Sequence, residues 1–274
     1  MLMRDTICNK CGHNYDPVNT NCPKCDEINP NPEAHKKQRG LIWLPRWQEI
    51  AFFLTGWLGL NIIGIIIQLA LSFLNSESTK IMYMAVSQFV TYGLLFIGMI
   101  FLAFQNHRKI LASFKSVVPY AIGIGIGVGI LLLGSFYKYI ASLFVDFGVN
   151  GNEDLVRKIT ISYPALSILI FAFVGPICEE LTYRLGLFSF FARIGKWLAY
   201  LVTIAFFALI HFDFLAGSPE AYLVELLNLP SYLIAGGLLC FAYDYFGLAA
   251  SLTAHVTNNL VAVVSILISN IISQ

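Results

Sequence analysis

The chain has 274 residues, of which 57% are hydrophobic and only 12% charged, against about 25% charged in an ordinary soluble domain. A net charge of +1 excludes the strong field of a nucleic-acid binder or of a protein built for acidic substrates. Polar and charged residues concentrate before Ile50 and in short gaps between apolar runs, so one membrane domain and one very small soluble module account for the length.

Taken in chain order, residues 1–40 carry Cys, Asn, Pro and Lys rather than an apolar signal core, and the N-terminus is expected in the cytosol. Four of the six cysteines stand as Cys8-Asn-Lys-Cys11 and Cys22-Pro-Lys-Cys25. Two CxxC knuckles suit tetrahedral zinc, each presenting two thiolates. Gly12 and Pro23 fit the tight turns. So short a segment has almost no apolar core, and metal would supply most of its folding free energy. The rival reading, two disulfides, conflicts with a reducing cytosol. Cys8, Cys11, Cys22 and Cys25 fill the shell and leave no place for a reacting water, so the zinc is structural, with a protein partner as the ribbon's other use and His13 as a bystander. The expected boundaries are a zinc ribbon over 1–28, a basic linker over 29–48 and a polytopic membrane domain over 49–274.

From Ile50 onward, seven runs of spanning length are predicted, at about 50–74, 81–104, 117–145, 164–190, 197–215, 229–246 and 248–272. The fold class is an all-α integral membrane bundle of about seven transmembrane helices. The loops alternate in Lys and Arg content: Lys36, Lys37, Arg39 and Arg46, then Arg108, Lys109 and Lys115, then Arg193 and Lys196 on one side; Glu77 and Lys80, then Asp146, Glu153, Asp154, Arg157 and Lys158, then Asp213, Glu220 and Glu225 on the other. That pattern places the N-terminus inside. Trp43, Trp47 and Trp197 fall at the same interface. Gly123, Gly125, Gly127 and Gly129 lie in the third run without a preceding strand, so they read as two small-residue packing faces and not as a nucleotide loop.

Ionisable groups inside such runs are costly in lipid and mark functional sites. The fourth run holds Glu179-Glu180-Leu-Thr-Tyr-Arg184; Glu180 and Arg184 share a face and pair. Glu179 points about 100° away, free to meet another element, as a general base must. The fifth run ends Phe207-Ala-Leu-Ile-His211, with Asp213 behind it, and the seventh holds His255-Val-Thr-Asn258-Asn259. At about 1.5 Å per residue, Glu179 lies about 17 Å deep, His211 about 21 Å, His255 about 10 Å and Asn259 about 16 Å, provided the fourth helix runs to about 190. The alternatives are a histidine that merely bonds a neighbouring helix, a structural Glu180–Arg184 pair, a Cys178 nucleophile, and a proton relay in a transporter. Cys240 reads as packing. No Gly-x-Ser-x-Gly element supports serine chemistry.

The order EExxxR, FxxxH, HxxxN over about residues 160–265 resembles the CPBP family of CAAX prenyl proteases and bacteriocin-processing or immunity proteins; Leu229-Pro-Ser-Tyr-Leu-Ile-Ala-Gly-Gly also resembles a family block. The resemblance implies an intramembrane endopeptidase of glutamate type. Glu179 with His211 would activate a water, His255 and Asn259 would stabilise the oxyanion, and Glu180 and Arg184 would support them. It implies no cofactor for catalysis, a peptide or membrane-protein substrate, the lipid bilayer as surroundings (the cell membrane in a bacterium) and no nucleic acid. A metal-dependent version of the protease and a non-proteolytic immunity or scaffold protein are the rivals.

Overall fold

A computed structural model describes residues 6–15, 19, 21–29, 40–74, 76–145 and 148–273. Lys36, Lys37 and Arg39 of the predicted linker, and Asp146, lie outside the described residues.

The N-terminal module is built on two antiparallel strands, β1 (Thr6–Ile7) and β2 (Asn14–Tyr15), with Thr6 opposite Tyr15. Its two knuckles close alike. The Gly12 N–H donates to Cys8 O and the Asp26 N–H to Cys22 O, both at 2.9 Å. Each turn needs a left-handed residue, met by Gly12 at φ +68° and Asp26 at +58°, residue types that tolerate that region.

Nine helices follow among the described residues: α1 (Arg46–Ala70), α2 (Lys80–Phe104), the short α3 (His107–Ala112), α4 (Val118–Ser142), α5 (Gly151–Ser162), α6 (Pro164–Ala192), α7 (Lys196–Leu209), α8 (Pro219–Phe246) and α9 (Leu248–Ile272). Six of them, α1, α2, α4, α6, α8 and α9, are long and apolar enough to cross a membrane. The chain is an all-α integral membrane bundle with a cysteine module appended.

Three expectations need correction. The predicted span at 197–215 is α7, of 14 residues; at 1.5 Å each it covers about 21 Å, short of a hydrocarbon core of about 30 Å. It stops at the turn that carries His211. Secondly, α8 starts at Pro219 and not near 229, and runs through Pro230. Ser218 caps it by accepting from the Ala221 N–H at 3.2 Å, with Pro219 in the first turn, a favourable helix start. Thirdly, the predicted acidic loop after the third span folds into α5. Asn150 Oδ1 accepts from the Glu153 N–H at 2.9 Å, and Glu153 and Asp154 sit in the first turn, where the helix dipole favours them.

The axis of the domain is α6. Of its most apolar stretch 56% is buried, against 28% or less in the other five long helices, so the helix carrying Glu179 is wrapped by its neighbours. Its Leu185 and Phe188 join a core cluster with Phe52, Leu95, Met99 and Tyr243; its Tyr183 and Leu187 join a second with Ile130, Phe207, Leu239 and Ala254. Ile65, Ile66 and Leu69 on α1, and Phe101 and Phe104 on α2, stay exposed, an apolar exterior suited to lipid.

Only one of the two predicted glycine faces is used. A β-carbon on Gly123 would fall 2.6 Å from Ala250 O, and one on Gly127 2.6 Å from Ala254 O, whereas Gly125 and Gly129 meet nothing within 4 Å. The first pair therefore lets α4 reach the backbone of α9 just before His255. Gly247, at φ +90°, separates α8 from α9, a conformation that side chains disfavour.

Residues 40–45 are fixed against the ends of α6 and α8. The Ile42 N–H donates to the Tyr243 hydroxyl at 3.2 Å, and Arg193 donates to Leu44 O at 2.7 Å while pairing with Glu49 at 2.8 Å.

Candidate active site

The local structure of α6 follows from Gly175-Pro176. In place of a break, the backbone widens to π-type turns over Ile168–Val174 and again over Leu181–Phe188, with a regular α segment, Gly175–Glu180, between them. The Gly175 N–H reaches Ile170 O. That leaves Phe171 O without a helical donor, because the residue whose N–H would serve it in the π pattern is Pro176, which has none. The Asn259 side chain supplies it instead, Nδ2 to Phe171 O at 2.8 Å. Asn258 Nδ2 in turn donates to Asn259 Oδ1 at 2.9 Å, which fixes the orientation of the amide. Phe171 uses one of the two Nδ2 hydrogens.

The α segment between the π turns presents Glu179 and Glu180 in different directions, and both are buried. Glu179 Oε2 lies 3.9 Å from His211 Nε2 and 3.7 Å from His255 Nε2. It is buried and has no hydrogen-bond partner. Tyr92 of α2 sets its hydroxyl beside the same carboxylate.

Glu180 has the opposite surroundings. Its Oε1 accepts from His255 Nδ1 at 2.9 Å, and Oε2 takes the Ser251 hydroxyl and lies 3.4 Å from Arg184 Nε. Arg184 is 0% exposed, with its guanidinium 4.7 Å from the centre of the Phe207 ring and Nη2 3.5 Å from Gly236 O. With Nδ1–H committed to Glu180, His255 offers a lone pair from Nε2 when neutral and an N–H when protonated. His211 sits in the turn after α7, its ring stacked on Tyr232 with centroids 4.4 Å apart and edge-on to Phe207.

The structure thus brings His211 and His255 each within 4 Å of Glu179, with Glu180 and Arg184 behind His255 and Asn259 one turn further along α9. Cys178 and Cys240 are buried in the apolar core, as packing residues would be. Tyr92 leaves no signal in the sequence, and Tyr232 shows only as part of the Leu229-Pro-Ser-Tyr-Leu-Ile-Ala-Gly-Gly block. Ser251 leaves one of its own, four residues before His255 and so on its face.

Residues 161–261 match the family model of the type II CAAX prenyl endopeptidases, Rce1-like. The Rce1-like stretch contains every residue of the Glu179–His211–His255 cluster, and its bounds agree with the resemblance read at about 160–265. At the level of that family it supports an intramembrane endopeptidase. No curated protein and no solved structure matches the chain.

The cysteine module lies outside the Rce1-like stretch. The Sγ atoms of Cys8, Cys11, Cys22 and Cys25 all lie within 4.8 Å of one another, and none is in a disulfide. Thiolates 2.3 Å from a shared zinc stand about 3.8 Å apart, so the spacing fits a tetrahedral metal. Burial opposes ionisation of Cys8, but the backbone N–H groups of Cys11 and Lys10, with the Cys25 and Cys11 thiols, pull its thiol down to about 7. The Glu27 N–H favours the Cys25 thiolate, yet burial and the thiols of Cys11, Cys8 and Cys22 push it up to about 12. A shared cation would favour the thiolate form of all four.

Proposed function

We propose that the membrane domain hydrolyses peptide bonds with Glu179 as general base. One observation carries the reading: a buried carboxylate oxygen, Glu179 Oε2, without a hydrogen-bond partner and within 4 Å of two imidazole nitrogens. Leaving such an atom unpaired costs about 1–3 kcal/mol. A water about 2.8 Å from Oε2 and from His211 Nε2 satisfies it and is held for attack.

Glu179 takes a proton from that water as its oxygen bonds the scissile carbonyl carbon. The oxyanion accepts from His255 Nε2–H and from the second Nδ2–H of Asn259, donors fixed before charge develops. Glu180 stabilises the protonated His255 through Nδ1. When the intermediate collapses, the C–N bond breaks and the departing amine takes the proton from Glu179. No metal is needed in this scheme. The substrate is a peptide or a membrane-protein segment that reaches the site within the bilayer. The four cysteines hold a structural zinc, and the N-terminus, with Arg108, Lys109, Lys115, Arg193 and Lys196, faces the cytosol.

The test uses purified full-length protein in nanodiscs against a quenched-fluorescent peptide library, with Glu179→Gln and His211→Ala variants, each with and without chelator. Cleavage by the wild type, lost in both variants and surviving chelation, is expected. Cleavage lost on chelation, in a variant lacking the ribbon cysteines as well, would place a metal at the Glu179 site and overturn the scheme.

A further inference from the structure

His211 has an unusual footing. Unlike Glu179 and His255 it is not on a helix, since α7 ends at Leu209. What sets the plane of its ring is Tyr232, stacked at 4.4 Å and tilted by only 14°. Tyr232 is held in turn from α5: its hydroxyl accepts from Asn150 Nδ2 at 3.1 Å and from Asn152 Nδ2 at 3.3 Å. Asn150 is itself buried as the cap of α5. A second tie runs parallel to the first. Buried Glu225 of α8 accepts from the Gly151 N–H at 2.8 Å through Oε1, and from the Asp213 N–H at 3.2 Å through Oε2. One carboxylate therefore joins the start of α5 to the turn two residues beyond His211.

We infer that Tyr232 is the positioning residue for His211, its ring orienting the imidazole toward Glu179 while Asn150 and Asn152 hold the phenol. The start of α5, outside the apolar spans, is thereby part of the site's support. The inference rests on the proposed role of His211 for its functional meaning, but the geometry stands or falls separately. A ring that turns freely about the side-chain bonds would leave the productive arrangement for most of the time, and a misplacement of about 1 Å costs about 100-fold in rate. Phenylalanine at 232 keeps the stacking face and loses only the tether.

The experiment is NMR of full-length protein in nanodiscs with ring-labelled histidine, the His211 resonance being assigned by its loss in His211→Gln. Stacking on Tyr232 moves the His211 ring protons upfield. The expected result is that Tyr232→Leu abolishes that displacement, whereas Tyr232→Phe, like Asn150→Ala with Asn152→Ala, keeps it but broadens the signal. On any peptide that the wild type cleaves, kcat falls about 100-fold in Tyr232→Leu and recovers only in part in Tyr232→Phe, with KM little changed. A His211 resonance at the same position in the wild type and Tyr232→Leu overturns the inference, whether or not the protein cleaves a peptide. If Tyr232→Leu does not fold, the pair of asparagine variants decides, and an unbroadened signal there overturns the tether.

Discussion

Glu180 Oε1 accepts the His255 Nδ1 hydrogen at 2.9 Å, so the carboxylate next in sequence to the proposed base serves to orient the histidine facing that base. The two neighbouring glutamates therefore divide the work. One is saturated by His255, Ser251 and Arg184, and the other keeps an oxygen open.

This division makes Glu180 the structural member of the pair. Glu180→Ala leaves the fully buried Arg184 without its carboxylate, and breaking a buried pair from one side costs about 3–5 kcal/mol. Thermal unfolding in detergent, followed by circular dichroism, should show a clear fall in Tm. An unchanged Tm would mean that Arg184 finds another anion or does not need one.

Asn259 is expected to act twice. Asn259→Ala removes the only donor that α9 gives to Phe171 O and should cost about 1–3 kcal/mol in stability, besides the loss of cleavage. Adding Pro176→Ala restores an N–H that can reach Phe171 O. The double variant should regain much of the stability and none of the activity. Recovery of both together would remove Asn259 from the oxyanion role.

On α4 the two glycine rows should separate cleanly. Gly127→Val drives side-chain atoms into Ala254 O and Thr257 and should lower Tm and cleavage together, because α9 must retreat with His255. Gly125→Ala, which meets nothing, should leave Tm unchanged or slightly raised, as alanine favours the helix by up to about 1 kcal/mol.

The ribbon should bind one zinc with an affinity that falls as pH falls. Cys8, held at about 7, gives up its proton readily, but Cys25, at about 12, is protonated until metal displaces the proton. Binding thus releases protons, and acid drives the reaction backward. Competition with a chromogenic chelator between pH 8 and 5 (about one unit above and two units below neutrality) should show progressive zinc release. Cys22→Ser should release it at every pH.

Much of this site was legible because charge stands out in an apolar chain. Glu179, Glu180, Arg184, His211 and His255 each interrupt runs that lipid would otherwise keep free of them, and their spacing on helices fixed which could pair. The depth estimate required that the fourth helix run to about 190, and α6 ends at Ala192. The end of α7 was not legible. Ile210, Phe212, Phe214 and Leu215 continue the apolar run past Leu209, so hydropathy cannot see a helix that stops there. The start of α8 was hidden for the opposite reason: Glu220 and Glu225 lower the hydropathy of a segment that Ser218 and Pro219 nevertheless cap. The Asn150 cap and acidic first turn of α5 stand equally in the sequence, but a charged stretch between apolar runs has the hydropathy of a loop. Tyr232 showed only as part of the Leu229–Gly237 block; its stacking on His211 left no signal, since one more aromatic residue in an apolar helix looks like core.

The central claim is that Glu179 is present for chemistry and not for the fold. Glu179→Gln, measured for Tm and for peptide cleavage in the same nanodisc preparation, tests it most directly. The account predicts cleavage reduced to background with Tm equal to the wild type or higher, because a buried carboxylate oxygen without a partner is replaced by a neutral amide. Cleavage retained by Glu179→Gln, or lost only along with the fold, would contradict it.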